Sequence, residues 1–593
     1  MNAFIPQLPE SAPFTPEQRA YLNGYLAGLF SYVPAPNTVA APGSSVSKPL
    51  QPLAILFGTQ TGTAEKLAKR VSKEAGKHGF APTVHDLAKY PFNQLASEQN
   101  VLVLTSTYGD GEPPDGAKSF WDALKADTAP KLATMRYSVL ALGDTNYARF
   151  CQFGKDVDTR LESLGAKRIQ PRTDCDVDYE EPFAKWLAST LPALAEADGS
   201  ASAALAIVAT SSADTDDEEE SKWTKSNPFP AKLVTNRRLN GQGSGKDVRH
   251  FEIALEGSDL TYEVGDALGV TPTNDSALVS ELVTTLGFSG DEEVHGKDGK
   301  PLPLRSALLG HYEITRIPQP FLAAVAERTG DEVLTQLASP SANGELSKFL
   351  YGREIVDILL AHPKARFAPT EFVALLKKLQ PRLYSISSSL KAHPGQVHLT
   401  VGVVRYESLG RKRAGVCSTF LAERADSSAV PVFVHQNSGF RPPASDKPLI
   451  MVGPGTGIAP FRAYLEERRA TGAKGRNWLF FGDQKSTTDF LYQDEMSAMR
   501  QDGLLNRLDL AWSRDQAEKV YVQQRMLEND KELFAWLEDG AGFYVCGDAS
   551  RMAKDVDLAL HQVVERAGEK TPEQAADYIK KLKAEKRYQR DVY

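Results

Sequence analysis

The stretch Met451–Arg462, with the sequence MVGPGTGIAPFR, decides how the rest of the chain is interpreted. The apolar run Pro448–Val452 leads into it and predicts a buried parallel strand. Glycines at Gly453, Gly455 and Gly457 let backbone N–H groups approach a pyrophosphate, with a helix N-terminus directed at its charge. The spacing is G-x-G-x-G-x-x-P rather than the usual G-x-G-x-x-G, and a Gly/Pro-rich turn of this kind is often only a turn. The surrounding sequence must therefore decide between a turn and a nucleotide site.

Length and composition limit the possible classes of protein. The 593 residues suggest three or four domains of about 150 residues each. A net charge of -8 argues against binding of nucleic acid or of anionic membranes. The cysteines form no C-x-x-C pair and the histidines are scattered, so neither a disulfide framework nor a metal site is predicted. No apolar stretch is long enough to span a bilayer and the first basic residue is Arg19, so we expect a cytoplasmic protein without a signal peptide.

An N-terminal segment, 1–51, precedes the first predicted domain. Thr15–Gln18 is typical of a helix start, and an apolar stripe follows through Phe30. The Pro/Ala/Ser-rich run Pro34–Pro52 predicts a linker. Two interpretations stay open: the helix folds back on the first domain, or it docks on another subunit and makes the protein a homo-oligomer.

Three predicted strands within 52–195 each end in a polar, glycine-containing loop. The strands and their loops are Leu53–Phe57 with Gly58–Thr63, Val101–Thr105 with Ser106–Glu112, and Tyr137–Leu142 with Gly143–Tyr147. In a doubly wound sheet such loops gather at one edge, where ligands bind. The first loop lacks the lysine of a nucleotide-triphosphate loop, and its neutral donors at a helix N-terminus favour the phosphate of FMN. Tyr108 and Tyr147 could stack on a flat ring, although isolated tyrosines are more often ordinary loop aromatics.

Residues 196–226 change in character. They are rich in Ala and Ser and then acidic at Asp214–Glu220, so they cannot form a core and their charges repel one another. We predict a flexible tether. The alternative is an acidic docking patch for a partner.

The region 227–445 is predicted to be rich in β-strands, with a helical insert at about 275–379. Val248–Ile253 alternates between apolar and polar residues, and Leu399–Val404 is another apolar run. These patterns predict a β domain that is interrupted by helices.

Polar residues in this region could hold a second flavin. Arg382 could bind a diphosphate in a bidentate manner, Tyr384 could stack on a ring, and Ser385 could form a hydrogen bond near it. Gly415–Thr419 opens a helix, which suits another phosphate group. Taken alone, R-x-Y-S is a short pattern that occurs often by chance.

The region 446–593 continues from the glycine loop with Trp478–Gly482, Leu508–Arg514 and Phe543–Asp548, which we predict to be strands, the last of them closing the sheet. Hydroxyls and cations then follow at Ser513, Arg514, Lys519 and Tyr521. Such a group suits a 2′-phosphate and favours NADPH over NADH. Without context, a solvated basic patch would be an equally good interpretation.

The motifs together resemble a known family. The TQTGT, STYGDGEPPD and LGDTNY…FC loops are similar to those of the flavodoxin-like FMN domain of diflavin reductases, over about 52–195. The RLYS motif resembles the FAD signature of the ferredoxin-reductase family, whose FAD domain is an antiparallel barrel. Ala511–Gln523, Tyr544–Val556 and Lys586–Tyr593 are most similar to the flavoprotein components of assimilatory NADPH–sulfite reductase. The implied fold class is α/β multidomain: a flavodoxin-like FMN domain, an antiparallel β-barrel FAD domain with a helical insert, and a doubly wound α/β NADP-binding domain at 446–593.

The resemblance also implies cofactor-binding residues. Those for FMN are Thr59, Gln60, Thr61, Gly62, Thr63, Ala64, Ser106, Thr107, Tyr108, Gly109, Leu142, Gly143, Asp144, Thr145, Asn146, Tyr147 and Cys151. Those for FAD are Arg382, Leu383, Tyr384, Ser385, Thr400, Val401, Gly402, Tyr406, Gly415, Val416, Cys417 and Ser418, with Thr315 and Gly352 from the insert as weaker candidates. Those for NADPH are Gly453, Gly455, Thr456, Gly457, Ser513, Arg514, Lys519, Val520, Tyr521, Val522, Gln523 and Asp555.

Three residues are predicted at the reacting centre. Ser385 and Asp548 would form hydrogen bonds with the nicotinamide and flavin edges, and Tyr593 would cover the FAD ring where nicotinamide must sit. Several relatives place a cysteine after F-F-G, where this chain has Asp483, so no catalytic cysteine is assigned. Cys546 is interpreted as a buried small residue of a strand.

The implied function is electron transfer from NADPH to FAD, to FMN, and to a partner sirohaem/iron–sulfur subunit that reduces sulfite to sulfide. No cysteine set in this chain could hold that cluster. A general soluble diflavin reductase for another haem protein is the first alternative. A non-catalytic binding scaffold is a remote one, because three cofactor motifs occur in order.

Overall fold

The computed structural model describes residues 50–60, 62–108, 111–143, 149–176, 179–197, 222–339 and 343–593. The predicted helix Thr15–Phe30 and most of the predicted tether 196–226 lie outside the described residues. The same holds for six predicted FMN residues, namely Thr61, Gly109, Asp144, Thr145, Asn146 and Tyr147.

The region from Gln51 to Ala197 is built on a parallel sheet, which we call the first sheet. Its elements are β1 (Gln51–Gly58), α1 (Thr63–Lys77), β2 (Phe80–Asp86), β3 (Asn100–Ser106), α2 (Lys118–Lys125), β4 (Arg136–Leu142), α3 (Gln152–Ser163), β5 (Lys167–Arg168), β6 (Thr173–Cys175) and α4 (Glu180–Ala197). The order is β2-β1-β3-β4-β5, with β6 also paired to β4. Residues Leu53–Phe57 are all buried, as expected for a strand covered by helices on both faces. The strand order reverses between β1 and β3, and a ligand is expected at the carboxyl edge there.

An antiparallel sheet follows, which we call the barrel. Its strands are β7 (Phe229–Arg238), β8 (Val248–Ala254), β9 (Ala267–Val270), β12 (Arg382–Ser385), β13 (Gln396–Gly402) and β16 (Val430–His435). They lie in the order β12-β9-β16-β7-β8-β13. A bridge between Ile386 and Leu399 joins the two ends, so the sheet closes. The predicted antiparallel barrel is therefore confirmed.

The insert lies between β9 and β12 and is mainly helical, as predicted. Its elements are α5 (Ser276–Leu286), β10 (Glu293–His295), β11 (Pro301–Pro303), α6 (Leu304–Gly310), α7 (Gln319–Thr329), α8 (Glu332–Leu337), α9 (Asn343–Leu350), α10 (Ile355–Ala361) and α11 (Pro369–Ala374). The Asp275 side chain caps α5 by accepting hydrogen bonds from the N–H groups of Ala277 and Leu278. Helix residues such as Phe321 and Phe372 form a core that is separate from that of the barrel.

A hairpin and a short helix lie between β13 and β16. They are β14 (Arg405–Ser408), β15 (Arg411–Ala414) and α12 (Val416–Thr419). A π-helical segment, Phe420–Arg424, continues from α12. The helix predicted to open at Gly415 is thus present.

The last region is built on a second parallel sheet, which we call the NADP sheet. Its elements are β17 (Leu449–Val452), α13 (Ala459–Thr471), β18 (Asn477–Asp483), α14 (Ser486–Asp489), α15 (Gln493–Gln501), β19 (Arg507–Trp512), α16 (Val522–Glu528), α17 (Asp530–Glu538), β20 (Gly542–Gly547), α18 (Met552–Ala567), α19 (Pro572–Ala584) and β21 (Tyr588–Val592). The order is β19-β18-β17-β20-β21, so the chain winds outward from β17 in both directions. The predicted doubly wound fold is confirmed.

One prediction about the NADP sheet is wrong. Phe543–Asp548 was expected to be the last strand, but Tyr588–Val592 adds β21 parallel to it, with Gly547 opposite Val592. The sequence YQRDV carries charges and lies at the sheet edge, so it lacks the apolar run that marks a buried strand.

None of the helices in the described part of the chain is both long and apolar enough to cross a bilayer.

Candidate functional site

The first loop at the edge of the first sheet turns at Gly62. Its φ of 91° is a left-handed conformation that favours glycine, and its N–H donates to Thr59 Oγ1 at 2.9 Å. Helix α1 begins at the next residue and directs the N–H groups of its first turn towards this edge. The arrangement of Thr59 and Gly62 suits an anionic phosphate.

The second loop presents Tyr108. Tyr108 and Glu112 exchange two backbone hydrogen bonds of 2.8 Å, which hold these two residues side by side. The Tyr108 hydroxyl is buried and has no hydrogen-bond partner within the described residues. Burial raises the pKa of Tyr108, so its phenol stays protonated. An unsatisfied hydroxyl here is consistent with a site that is completed by a ligand.

The third loop follows β4, and only its two ends are described. A Cβ at Gly143 would lie 2.8 Å from the Cys151 nitrogen, so the two ends are in close contact. The Cys151 thiol points into the sheet instead, towards the carbonyl oxygens of Ala141 and Cys175. A contact between Cys151 and FMN would therefore involve its backbone.

Two predicted FAD residues are brought together by a buried carboxylate. Glu313 accepts from Arg382 Nη2 at 3.2 Å and from Thr315 Oγ1 at 2.6 Å. Its side chain is 7% exposed, so its charge is balanced mainly by Arg382. No motif in the sequence indicated Glu313, because only the folded insert places it beside β12.

Other predicted FAD residues divide into exposed and buried groups. Leu383 and Tyr406 are 50% and 51% exposed and could face a flat ring. The Val401 side chain packs in the barrel core. Thr400 Oγ1 lies 2.6 Å from Tyr492 Oη, so its hydroxyl already has a hydrogen-bond partner within the protein. Cys417 is buried, which raises its pKa to about 11 and keeps the thiol neutral.

The turns around this site are tightly packed. A Cβ at Gly352 would lie 2.0 Å from Ser408 Oγ, so the insert approaches the β14–β15 hairpin closely. The Gly415 N–H donates to the Val404 carbonyl at 2.9 Å, and Ser418 Oγ accepts from the Val404 N–H at 3.1 Å. These bonds fix the start of α12, where a phosphate was predicted.

The glycine loop after β17 crosses the end of β20. A Cβ at Gly457 would lie 2.1 Å from the Cys546 carbonyl oxygen, and one at Gly453 would lie 2.5 Å from the Gly457 oxygen. Both positions therefore exclude any side chain. The loop leads into α13 through a 3-10 turn at Gly455–Ile458, and a helix start of this kind suits a pyrophosphate.

An ion pair that the sequence analysis missed lies beside this loop. Lys246, from the β7–β8 connection, donates to both carboxylate oxygens of Asp483, at 2.6 and 2.8 Å. Burial raises the pKa of Asp483, and the charge of Lys246 partly opposes that shift. A Cβ at Gly455 would lie 3.7 Å from Lys246 Nζ, so this cation is within reach of a bound pyrophosphate.

The residues predicted for a 2′-phosphate lie together after β19. Ser513 is fixed by backbone and side-chain bonds to the Asp483 carbonyl, at 3.0 and 3.3 Å. Arg514, Lys519 and Tyr521 are exposed and available to an anion. The remaining predicted residues differ in their contacts: Gln523 bonds to Asp555, whereas Val522 is in the core.

Three residues from different strands meet between the barrel and the NADP sheet. Ser385 Oγ donates to Asp591 Oδ2 at 2.6 Å, and Cys546 Sγ lies 4.0 Å from the same oxygen. Burial raises the pKa of Asp591, while the hydrogen bond from Ser385 lowers it in part. Burial also raises the pKa of the Cys546 thiol, which is therefore neutral.

Asp548 follows β20 directly, and its predicted role at the nicotinamide stays a prediction. Its Oδ2 accepts from the N–H groups of Arg551 and Met552 at 2.8 and 3.1 Å, so it caps the start of α18. The carboxylate that Ser385 contacts is that of Asp591, which sequence reasoning missed together with β21.

Tyr593 lies across the end of β20. Its hydroxyl is 2.8 Å from Thr456 Oγ1, and its N–H donates to the Gly547 carbonyl at 3.1 Å. The side chain thus rests against the glycine loop, close to where nicotinamide is predicted.

The first sheet contacts both other regions through its ligand edge. Asp115 forms an ion pair with Arg590 of β21, whose Nε lies 2.9 Å from Asp115 Oδ2. Arg590 also lies over the Tyr108 ring, 5.7 Å from its centroid. Lys66 Nζ donates to Gln436 Oε1 of the barrel region at 3.2 Å. The ligand edge of the first sheet therefore contacts both the NADP sheet and the barrel region.

Comparison with known proteins agrees with this division. Residues 55–186 match the family model described as flavodoxin, 221–420 the FAD binding domain, and 451–558 the oxidoreductase NAD-binding domain. The chain is 45% identical over 603 residues to the "sulfite reductase [NADPH] flavoprotein alpha-component" of Bacillus subtilis (strain 168), which covers 100% of this chain and 97% of that protein.

Two further relatives carry the same name. The protein from Vibrio parahaemolyticus is 44% identical over 582 residues, covering 97% of this chain and 92% of its own. The protein from Vibrio cholerae (strain ATCC 39315) is 45% identical over 584 residues, covering 97% and 93%.

Proposed function

The chain belongs to the family of NADPH–sulfite reductase flavoprotein alpha-components, and from this premise we propose that it passes electrons from NADPH through FAD and FMN to a separate sirohaem/iron–sulfur subunit that reduces sulfite to sulfide. Its cofactors are FMN, FAD and NADPH. The observation that carries the proposal is the convergence of the ligand edge of the first sheet, strand β12 and the glycine loop around β21.

The residues present fit these cofactors. Gly62 and the start of α1 suit a monophosphate, and the buried Tyr108 hydroxyl lacks a partner in the described chain. Gly453 and Gly457 allow the glycine loop to pack directly against its own turn and the end of β20, which places backbone rather than side chains there. When bound, the nicotinamide and flavins supply hydride and electron transfer, while the protein positions and tunes them.

Ser385, Asp591 and Cys546 form the proposed hydride-transfer centre. Because the Ser385 hydroxyl donates to Asp591, its oxygen retains lone pairs for a donor on a ligand. The pKa of Asp591 is raised towards the working pH, which is the range in which a carboxyl acts best as a general acid or base. The neutral Cys546 thiol fills the space beside it and excludes water.

Tyr593 and Arg590 control access to this centre in the proposed mechanism. Tyr593 must leave its contact with Thr456 before nicotinamide can take its place. Arg590 holds Asp115, and so holds the first sheet against the NADP sheet. Release of that pair would let the tethered FMN domain reach an acceptor, at an effective concentration set by the tether.

The first test is an anaerobic NADPH titration of the purified protein with its released flavins identified. It is repeated with a sulfite-reducing haemoprotein and sulfite present. One FAD and one FMN per chain, reduced by NADPH and driving sulfide formation, is the expected result. Flavin reduction without sulfide across several haemoproteins would favour the general diflavin reductase, and no NADPH consumption would favour the scaffold.

We further propose that the protein acts in the cytoplasm and forms homo-oligomers through the segment 1–51. That segment lies outside the described residues, and the proposal rests on its predicted amphipathic helix Thr15–Phe30. Deletion of residues 1–50 should lower the mass in solution to that of one chain. An unchanged mass would contradict it.

A further inference from the structure

A group of potential metal ligands lies between the barrel and the NADP sheet, next to Thr400 and Tyr492. His250 and Glu252 belong to β8, and His398 belongs to β13. One ligand atom from each of the three lies within 4.8 Å of the others. His250 and His398 are only 2% and 1% exposed. Three ligating groups are therefore held at short range inside the protein.

Strand pairing explains why these side chains meet. Strands β8 and β13 are antiparallel, with Glu252 opposite His398 and His250 opposite Thr400. Residues 250 and 252 share one face of β8, and the cross-strand partner of Glu252 shares that face too. The sequence analysis predicted no metal site because the histidines have no regular spacing. The triangle depends on pairing between strands that are distant in the chain.

Each potential ligand is also fixed by a second contact through its other polar atom. The contacts are His250 Nδ1 to Tyr492 Oη at 2.9 Å, Glu252 Oε2 to Thr235 Oγ1 at 2.6 Å, and His398 Nε2 to Gln396 Oε1 at 3.3 Å. Metal-bound histidines and carboxylates are characteristically oriented in this way by outer partners.

One ring nitrogen of His398 independently indicates a ligand. Its Nδ1 is buried and has no hydrogen-bond partner in the part of the chain that the structure describes. His250 Nε2, by contrast, lies 3.2 Å from Glu252 Oε1. A buried ring nitrogen without a partner is costly, and a bound cation would satisfy it.

We propose that His250, Glu252 and His398 bind one divalent transition-metal ion, with Zn²⁺ as the best fit. Two imidazole nitrogens and one carboxylate oxygen are a ligand set that Zn²⁺ accepts, with water in the fourth position. For His250 to coordinate through Nε2 its single ring proton must sit on Nδ1, where it is donated to Tyr492 Oη, so a neutral ring binds the ion without net proton release. The ion ties β8 to β13 beside Tyr492.

The surrounding charges permit such an ion. The nearby cation Arg462 is already neutralised by Glu466 at 2.8 Å and Glu495 at 2.7 Å. His393 lies on another side of the site, with its ring centroid 4.2 Å from that of His398 and its Nε2 bonded to Glu466. His393 is therefore a neighbour of the triangle and provides a matched control.

The test uses the full-length flavoprotein with both flavins bound and without an affinity tag. The protein is dialysed against a chelator and then against Zn²⁺, and bound metal is measured by mass spectrometry. We expect H398Q to bind one equivalent less than the wild type, and H393Q to bind as much as the wild type. Zn²⁺ should raise the unfolding midpoint of the wild type and H393Q, but not of H398Q.

A measurement on the unaltered protein keeps the proposal testable if H398Q fails to retain its flavins. X-ray absorption at the zinc edge should show two imidazole nitrogens and oxygen neighbours. Equal zinc in the wild type and H398Q, a shell that contains sulfur, or a shell without imidazole would overturn the proposal.

Discussion

The barrel meets the NADP sheet and the first sheet in different ways. Towards the NADP sheet, the buried Arg462 of α13 donates to the Ser387 carbonyl at 2.7 Å, and Ser389 donates to Glu466 and Glu467. Towards the first sheet, the contact shown above is between the surface side chains of Lys66 and Gln436. The first interface resembles the interior of a domain and the second a transient contact.

The two interfaces suit two different steps of the proposed function, hydride transfer and electron delivery to a partner. Hydride transfer requires nicotinamide and FAD in one fixed geometry, and the buried interface supplies it. Delivery to a partner requires FMN to leave, and polar side chains at a surface can separate at low cost. The predictions below test the buried interface and the contacts of the first sheet, including its pair with the NADP sheet, from the largest expected effect to the smallest.

Breaking the buried interface should have the largest effect. R462A removes a guanidinium whose side chain is 6% exposed and leaves the buried Glu466 without its arginine partner, with only Ser389 and His393 still bonded to it. Loss of one member of a buried ion pair costs about 3–5 kcal/mol. We expect the free energy of unfolding to fall by that amount in urea denaturation followed by FAD release. K185A, at an exposed pair on the first sheet, is the control and should leave the midpoint unchanged.

Removing the hydroxyl of the hydride-transfer centre should affect rate more than stability. A hydrogen bond to a charged group is worth about 1.5–3 kcal/mol, so S385A should slow flavin reduction by NADPH about 10- to 100-fold. The pKa of Asp591, already raised by burial, should rise further without the Ser385 donor, which favoured the charged form. The stopped-flow pH profile should therefore shift to higher pH.

S385T keeps a donor and should recover most of the rate. A pH profile that is the same in S385A and the wild type would remove Asp591 from the proposed centre.

Breaking the contact of the first sheet should change position rather than stability. D115N weakens the pair with Arg590, whose side chain is 9% exposed, and we expect the closed form to lose about 1.5–3 kcal/mol. Small-angle scattering should show a larger radius of gyration at low salt. High salt should expand the wild type towards the same value, because screening weakens the pair. A double-mutant cycle with R590Q should show coupling, and additive effects would contradict the assignment.

Acid should open the same contact. Burial alone would raise the pKa of Asp115, but the charges of Arg590 and Lys118 lower it overall. Because the pKa of Asp115 is lowered in the closed form, its charge stabilises that form at pH values above the ordinary aspartate pKa of about 3.9. This contribution is lost as the pH falls through the lowered pKa. Scattering should show expansion only in that acidic range for the wild type, and D115N should not respond there.

The smallest effect is expected at Tyr593. Y593F removes the contact with Thr456, which is worth about 0.5–1.5 kcal/mol. Because Tyr593 must move for nicotinamide to enter, NADP⁺ should bind up to about tenfold more tightly by calorimetry. Weaker binding in Y593F would contradict the proposed displacement.

The sequence predicted most of the architecture because its strongest signals are local. The apolar run before Gly453 and the loop after Leu53–Phe57 identify strand-to-helix turns without knowledge of the rest of the chain. The edge strand β21 lacks that signal, so Asp591 was missed as the partner of Ser385. Lys246 and Glu313 were missed because each reaches its site from a separate loop.

The site predictions have a similar limit. A ligand loop identifies which backbone lies near a cofactor, but not where each side chain points. Val401 and Val522 belong to such stretches, yet their side chains are in hydrophobic cores. His250 and His398 show the opposite case, because only the strand register brings them together.

The side chains of two adjacent residues of β21 point to opposite faces of the strand and contact different regions of the molecule. Arg590 contacts Asp115 of the first sheet, and Asp591 contacts Ser385 of the barrel, as alternation along a strand requires. A ligand that displaces β21 from Ser385 therefore also disturbs the pair between Arg590 and Asp115. Thermodynamic reciprocity then fixes the relation: if closure of the FMN domain changes the affinity for nucleotide by some factor, nucleotide changes the closure equilibrium by the same factor.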